Sequence, residues 1–282
     1  MSDGRVVIDT ELDSSGAEKG LKGLGKSLVS VSKSAGKLAF KGTATAIAGT
    51  TAAITGLVTA STKAYASYEQ LVGGVDTLFK DSSKKVQQYA ADAYKTAGMS
   101  GNEYMETVTS FSASLLQSLG GDTEKAADVA NQAMIDMSDN ANKMGTDMQS
   151  IQNAYQGFAK QNYTMLDNLK LGYGGTKEEM QRLLADAEKL SGVHYDISNF
   201  SDVTQAIHEI QNSLDITGTT AKEASTTIEG SANSMKAAWS NLLVGISDDT
   251  QDFDTLVNNF VESAKSFAYI PIRLHLQRLP SA

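Results

Sequence analysis

The stretch GLKGLGKS, residues 20–27, has the spacing G-x-x-x-x-G-K-S. In a nucleotide-binding loop, that spacing lets backbone N–H groups and the lysine hold phosphates. Such a loop follows directly on a strand and opens a helix at its Lys-Ser. Here the strand-like run RVVIDTEL, residues 5–12, stops well before Gly20. Leu21 and Leu24, which would sit in the loop, belong instead to a helical repeat. No later apolar run ends in an aspartate placed to hold Mg²⁺, as such enzymes require. The motif therefore reads as part of a helix.

Other chemistry-bearing residues fail similar tests. His208-Glu209-Ile210-Gln211-Asn212 approaches H-E-x-x-H, in which two histidines one helical turn apart bind zinc. Asn212 stands where the second histidine is needed, and His194 and His275 are distant in sequence. His208 is thus expected to be a surface residue beside a glutamate. Serine is abundant, but there is no G-x-S-x-G elbow. Asp136 and Asp139 lack further acidic partners at Ca²⁺-loop spacing. Met134, Met137, Met144 and Met148 recur at helical spacing and read as a core stripe. The residues therefore point to no catalytic site, cofactor or metal, and to a protein that is not an enzyme.

Composition narrows the class further. The 282 residues include no cysteine, which removes thiolate catalysis, thiolate metal sites and disulfides. A net charge of −9 argues against a specific nucleic-acid partner, because phosphate binding needs a basic surface. The only two prolines are Pro271 and Pro280. The long proline-free stretch before them suits helices, since proline costs about 3 kcal/mol inside one. No apolar signal-peptide core follows the acidic N-terminus, MSDG.

The elements follow from periodicity. The fold class expected is mainly α, with a short N-terminal strand, a long amphipathic coiled-coil-like helix and then a multi-helix, bundle-like region. Residues 1–15 supply the strand and turn. Residues 16–64 are expected to form the long helix. Its first half carries Leu21, Leu24, Leu28, Val31, Ala35 and Leu38 at alternating spacings of three and four, the seam of a coiled coil. Lysines 19, 22, 26, 33, 37 and 41 line other faces. A second seam, Phe40, Ala44, Ile47, Thr51, Ile54 and Val58, continues on a different face. Self-association through this helix is the expected use of both seams. Residues 42–62 carry no charge and are long enough to span a bilayer. Membrane contact there, in a membrane-active or secreted helical effector, is the rival functional reading.

Residues 65–268 read as a helical core region. Helix-start signals stand at Ser100–Glu103, Asp122, Thr146–Gln149, Thr176–Glu179 and Thr220–Glu223. Breaks are expected at 97–101, 119–122, 144–146, 172–176, 191–201, 215–220 and 245–252. Tyr155, Phe158, Met165, Leu166 and Leu169 would share one helix and pair with Met180, Leu183, Leu184 and Ala187 in a hairpin. Residues 269–282 form an atypical tail. Ile270, Ile272, Leu274 and Leu276 alternate with other residues there, a strand period.

The string AYQGFAKQNYTMLDNLKLGYGGTKEEMQRLL, residues 154–184, resembles the tail tape-measure family of tailed bacteriophages and of prophages in Gram-positive bacteria. VVIDTELDSSGAEKGLKGL, residues 6–24, resembles the start of that family. SANSMKAAWSNLLVGISDDTQDFDTLVNNFVES, residues 231–263, resembles the close of its core region. The resemblance implies a structural virion protein that lies along the tail tube and sets tail length. It further implies departure ahead of the DNA at infection. The implied partners are the tail tube, the baseplate and tail-assembly chaperones. The implied location is the host bacterial cytoplasm during assembly and then the virion tail. Fully helical, the chain would reach about 420 Å. Members of the family usually run longer, so a truncated N-terminal fragment is expected, with the tail after residue 268 arising from a shifted reading frame.

The helical reading of GLKGLGKS has a direct consequence. Equilibrium titration with ATP or GTP in the presence of Mg²⁺ is expected to show no saturable binding, and Lys26→Ala is expected to change nothing. Tight binding abolished by Lys26→Ala would restore the phosphate loop.

Overall fold

The structure, a computed structural model, describes residues 51–276 except residue 249; for residues 51–58 and 270–276 it describes the backbone. The expected N-terminal strand, the seam from Leu21 to Leu38, and Phe40, Ala44 and Ile47 lie outside the described residues. The chain is mainly helical. α1 spans Thr51–Phe79, α2 Ser83–Thr96, α3 Gly101–Ser118, α4 Thr123–Met144 and α5 Met148–Phe158. α6 spans Lys177–Ser191, α7 Phe200–Ser213, α8 Thr219–Thr226, α9 Ile228–Ser247 and α10 Phe253–Leu276.

Local chemistry starts most of these helices. At α3, Ser100 accepts from the Glu103 amide while Glu103 reaches back to the Ser100 amide, a complete capping box. Asp122, Thr176 and Asn199 each accept an amide three residues on, at the starts of α4, α6 and α7. Each satisfies a donor that the first helical turn leaves free. α4 ends at Gly145, whose left-handed backbone (φ +61°) costs little without a Cβ.

Two expected caps are corrected. Asp147, not Thr146, caps α5: its carboxylate accepts from the Ser150 amide at 3.0 Å. A carboxylate is a stronger acceptor than a hydroxyl and complements the positive helix start. α8 starts at Thr219 with Gly218 as its cap residue, so Thr220 lies inside the helix rather than before it. Its end groups are satisfied by a residue outside the helix, described below.

The helix expected from Tyr155 to Leu169 is also corrected. α5 stops at Phe158, and Leu166–Leu169 form a separate 3₁₀ turn. Gln161 has a left-handed backbone (φ +58°), which no helix continues through. The Asn162 side chain then accepts from the Thr164 amide at 3.1 Å, holding a local turn. Tyr155, Phe158, Leu166 and Leu169 are in the core, whereas Met165, expected on the same apolar side, is exposed. They reach it from a helix and a turn, not from one face.

Three further boundaries differ from expectation. α1 runs unbroken across residues 64 and 65. It ends instead at Phe79, where Lys80 turns left-handed (φ +50°) before α2. α8 and α9 are separated at Thr227, which caps α9 by accepting from the Gly230 amide. α10 extends through Leu276, so residues 269–276 are helical and the strand period read there is corrected. The four apolar residues of that run lie in a short segment, too little to arbitrate between periods.

Apolar burial divides into two clusters. The main one joins Val75 and Phe79 of α1, Val86 of α2, Met105 and Phe111 of α3, and the alanines and methionines of α4. It also holds Ile151, Tyr155 and Phe158 of α5, Met180 and Leu183 of α6, and Val203 and Ile207 of α7. Met134 and Met137 are fully buried, as the core-stripe reading expects. Ala126, Ala127, Ala130 and Ala133 give α4 a slim face that neighbours approach closely. The second cluster is smaller and centres on α9 and α10, with Ala237, Ala238, Leu242, Val257, Phe260 and Val261 around Tyr94 of α2. Trp239 and Phe260 stack obliquely there, 5.2 Å between ring centres.

The Gly172–Gly175 turn before α6 gives a sharp test. A Cβ on Gly175 would lie 2.3 Å from the Thr164 carbonyl oxygen, a backbone atom that cannot swing away. A Cβ on Gly174 would meet only the Glu179 side chain at 3.5 Å. Gly175→Ala is expected to destabilise by about 1–3 kcal/mol, and Gly174→Ala by far less. Urea denaturation of both variants checks this.

Candidate functional site: a buried polar junction beside an open groove

The middle of α4 is buried all round. Asp136, Ser138, Asp139 and Asn140 are each 5 % exposed or less. A helix buried on every side is normally apolar. Here the polar side chains are met by four different parts of the chain, with Asn140 Oδ1 left without a hydrogen-bond partner among the described residues. Asp136 faces α7, where the His208 Nδ1–H donates to its two carboxylate oxygens at 2.9 and 3.1 Å. Gln132, one turn back on α4, donates to the same carboxylate at 3.1 Å. Asp139 faces α8 and accepts from the amides of Gly218 at 2.6 Å and Thr220 at 2.8 Å. Ser138 donates to the Ala97 carbonyl between α2 and α3 at 2.7 Å. Asn140 donates to the Leu169 carbonyl at the end of the 3₁₀ turn, at 3.0 Å.

Thr220 closes the junction. With the Ser138 hydroxyl proton given to Ala97, the Thr220 hydroxyl donates to the Ser138 oxygen at 3.1 Å. It accepts in turn from the Asn142 amide at 2.8 Å. Asp139 therefore caps a helix some eighty residues further along the chain. A local capping box at Thr220–Glu223 is not needed.

Electrostatics follow from this burial. Removal from water pushes the Asp136 carboxyl above its ordinary range, and the hydrogen bond and charge of His208 draw it back. The same hydrogen bond raises the His208 imidazole above its ordinary range, against the opposing effect of its own desolvation. Burial likewise raises Asp139, opposed by the amides of Thr220 and Gly218. The His208 side chain is 26 % exposed, so the expectation of a surface histidine is corrected. The sequence concealed its partner because Asp136 lies far away on α4.

An Asp–His pair of this geometry orients an imidazole, as it does in hydrolases and in metal sites. Among the described residues, no hydroxyl is hydrogen-bonded to His208, and no cluster of three metal-ligating side chains occurs. What the pair does here is bind α7 to α4. Asn212, from the near-match to a zinc helix, is exposed. The junction borders a groove of about 620 Å³ between α3, α4, α5 and α9. Its walls are amide-rich: Gln149, Gln152 and Gln156 of α5 face Glu103 and Glu106 of α3, with Lys236 of α9 opposite. Gln152 and Gln156 are held by Thr107 and Ser110 at 3.0 and 3.1 Å.

The other sequence-derived sites stand as follows. Residues 20–27 lie outside the described residues. Of the second seam, Thr51, Ile54 and Val58 fall on the α1 backbone. Residues 42–50 of the uncharged stretch also lie outside the described residues. Among the described residues, no helix is long and apolar enough to cross a membrane. No family model, curated protein or solved structure matches the chain.

The pair makes stability depend on pH with a defined sign. The His208 pKa is raised on folding, so its contribution is complete below about pH 6.5, the unfolded value. It is lost as pH rises through the folded value. Melting temperature is therefore expected to fall as pH rises above about 6.5, and His208→Gln should flatten that dependence. His208→Ala, which leaves Asp136 buried without its cation, should cost about 3 kcal/mol. Calorimetry across pH 5–9 on wild type and both variants checks this.

Proposed function

We propose that this chain is a structural virion protein of a bacteriophage tail, similar to a tape measure. In that role it takes part in tail-tube assembly, the setting of tail length and genome delivery. The observation that carries the reading is the string of residues 154–184, whose likeness to the tape-measure family is joined by those at 6–24 and 231–263. The helical architecture of the described residues agrees with a protein that works by occupying length and contacting other chains.

In this reading the partners are the tail tube, the baseplate and the assembly chaperone, with self-association through residues 16–64. The protein accumulates in the host bacterial cytoplasm and leaves it in the virion tail. The string at 154–184 comprises the end of α5, the turn-rich connection and the first half of α6, all anchored in the main core. Its part is to build a rigid folded unit, and its residues need perform no chemistry.

Deletion of the gene from the phage or prophage that encodes it tests the reading. Electron microscopy of the induced lysate should show filled heads without attached tails. Mass spectrometry of wild-type tails should detect peptides from residues 154–184. Normal tails in the deletion strain would overturn the proposal.

A further inference from the structure

Among the described residues, none of α8, α9 or α10 belongs to the main apolar cluster. Their own cluster contains, among the described residues, one buried residue from outside them, Tyr94. The hydrogen bonds that tie these helices to the rest are polar contacts at discrete points. Asp139 holds the start of α8, Thr220 meets Ser138 and Asn142, and Asn241 of α9 accepts from the Gly101 amide at 2.7 Å. Ser61 of α1 donates to the Leu243 carbonyl at 2.7 Å and lies 2.5 Å from the Ser247 hydroxyl. Hydrogen bonds of this kind exchange for bonds to water at small net cost, whereas apolar burial does not. Gly218, with its left-handed backbone (φ +82°), marks the point where the chain passes from the main core into this group.

We propose that α8, α9 and α10 form an arm that opens from the main core as one unit, with Asp139 as its latch. α1 stays behind on opening, because Val75 and Phe79 are seated in the main cluster. Asp139 is the decisive contact because it is fully buried and holds two amides at once. When the arm is closed, those amides and the carboxylate satisfy each other. When it opens, all three return to water. In the tail-protein reading, opening is how a folded chain begins to lengthen. That consequence rests on the reading; the latch itself does not.

Hydrogen exchange followed by mass spectrometry on the isolated full chain tests the latch. In the wild type, amides of α9 and α10 should exchange together and faster than those of α3, α4 and α7. Asp139→Ala should accelerate the arm about tenfold or more and leave α3, α5 and α7 within about twofold. Equal exchange of arm and core in the wild type would overturn the proposal, as would uniform acceleration in the variant. If Asp139→Ala does not fold, the cysteine-free chain permits a second route. The Ser138 and Thr220 hydroxyl oxygens are 3.1 Å apart, so Ser138→Cys with Thr220→Cys places two thiols across the latch, with disulfide formation checked by intact mass before exchange is measured. Oxidation should slow exchange throughout the arm and reduction should restore it. Arm exchange indifferent to oxidation would equally overturn the latch.

Discussion

A charge taken out of water must meet a partner, and two aspartates in the middle of α4 impose that rule on the fold. Asp136 and Asp139 lie one turn apart in the middle of α4, the stretch of that helix enclosed on all sides. Leaving either carboxylate unsatisfied would cost several kcal/mol, a large share of the margin by which domains are stable. One finds an imidazole on α7 and the other two amides at the start of α8. The positions of those helices follow from where the carboxylates point. Apolar packing alone tolerates many arrangements, while a buried hydrogen-bonded pair tolerates few.

The same rule shapes the rest of the junction. Ser138, Asn140 and Asn142 bind a loop carbonyl, a turn carbonyl and a hydroxyl from three separate segments. α4 thus acts as a polar spine on one side and an apolar one on the other, where its alanines and methionines meet the main core. The groove beside it inherits the polar character. Two of its glutamines, Gln152 and Gln156, are already fixed by neighbouring hydroxyls, so that part of the groove wall is ordered before anything touches it. A structural protein needs such fixed surfaces more than it needs reactive groups, which is consistent with the proposed role in a phage tail.

Much of the helix plan was legible because helix starts carry local signals. Ser100 and Glu103 form the box their spacing suggests, and Asp122 and Thr176 cap where expected. The methionine stripe was legible for the same reason: period alone places Met134 and Met137 inward. The misses share a physical cause, which is competition from outside the local window. Thr220 looked like a cap, but Asp139 does that work from another helix. Tyr155 to Leu169 looked like one helix, but Gln161 and Asn162 adopt a turn that no apolar period reveals. His208 looked superficial because its partner is remote in sequence. Buried aspartates in a helix interior were the signal that could have exposed the junction, since Asp disfavours helix interiors and is rarely buried unpaired.

The most direct test of this account is nuclear magnetic resonance of the Gly218 and Thr220 amide protons, compared between wild type and Asp139→Asn. Both amides donate to the Asp139 carboxylate, so loss of its charge should weaken both bonds. The account expects both resonances to move upfield together, with amides at the start of α6, capped independently by Thr176, unmoved. Unchanged Gly218 and Thr220 resonances would contradict it, because α8 would then be held by something other than the carboxylate at the centre of α4.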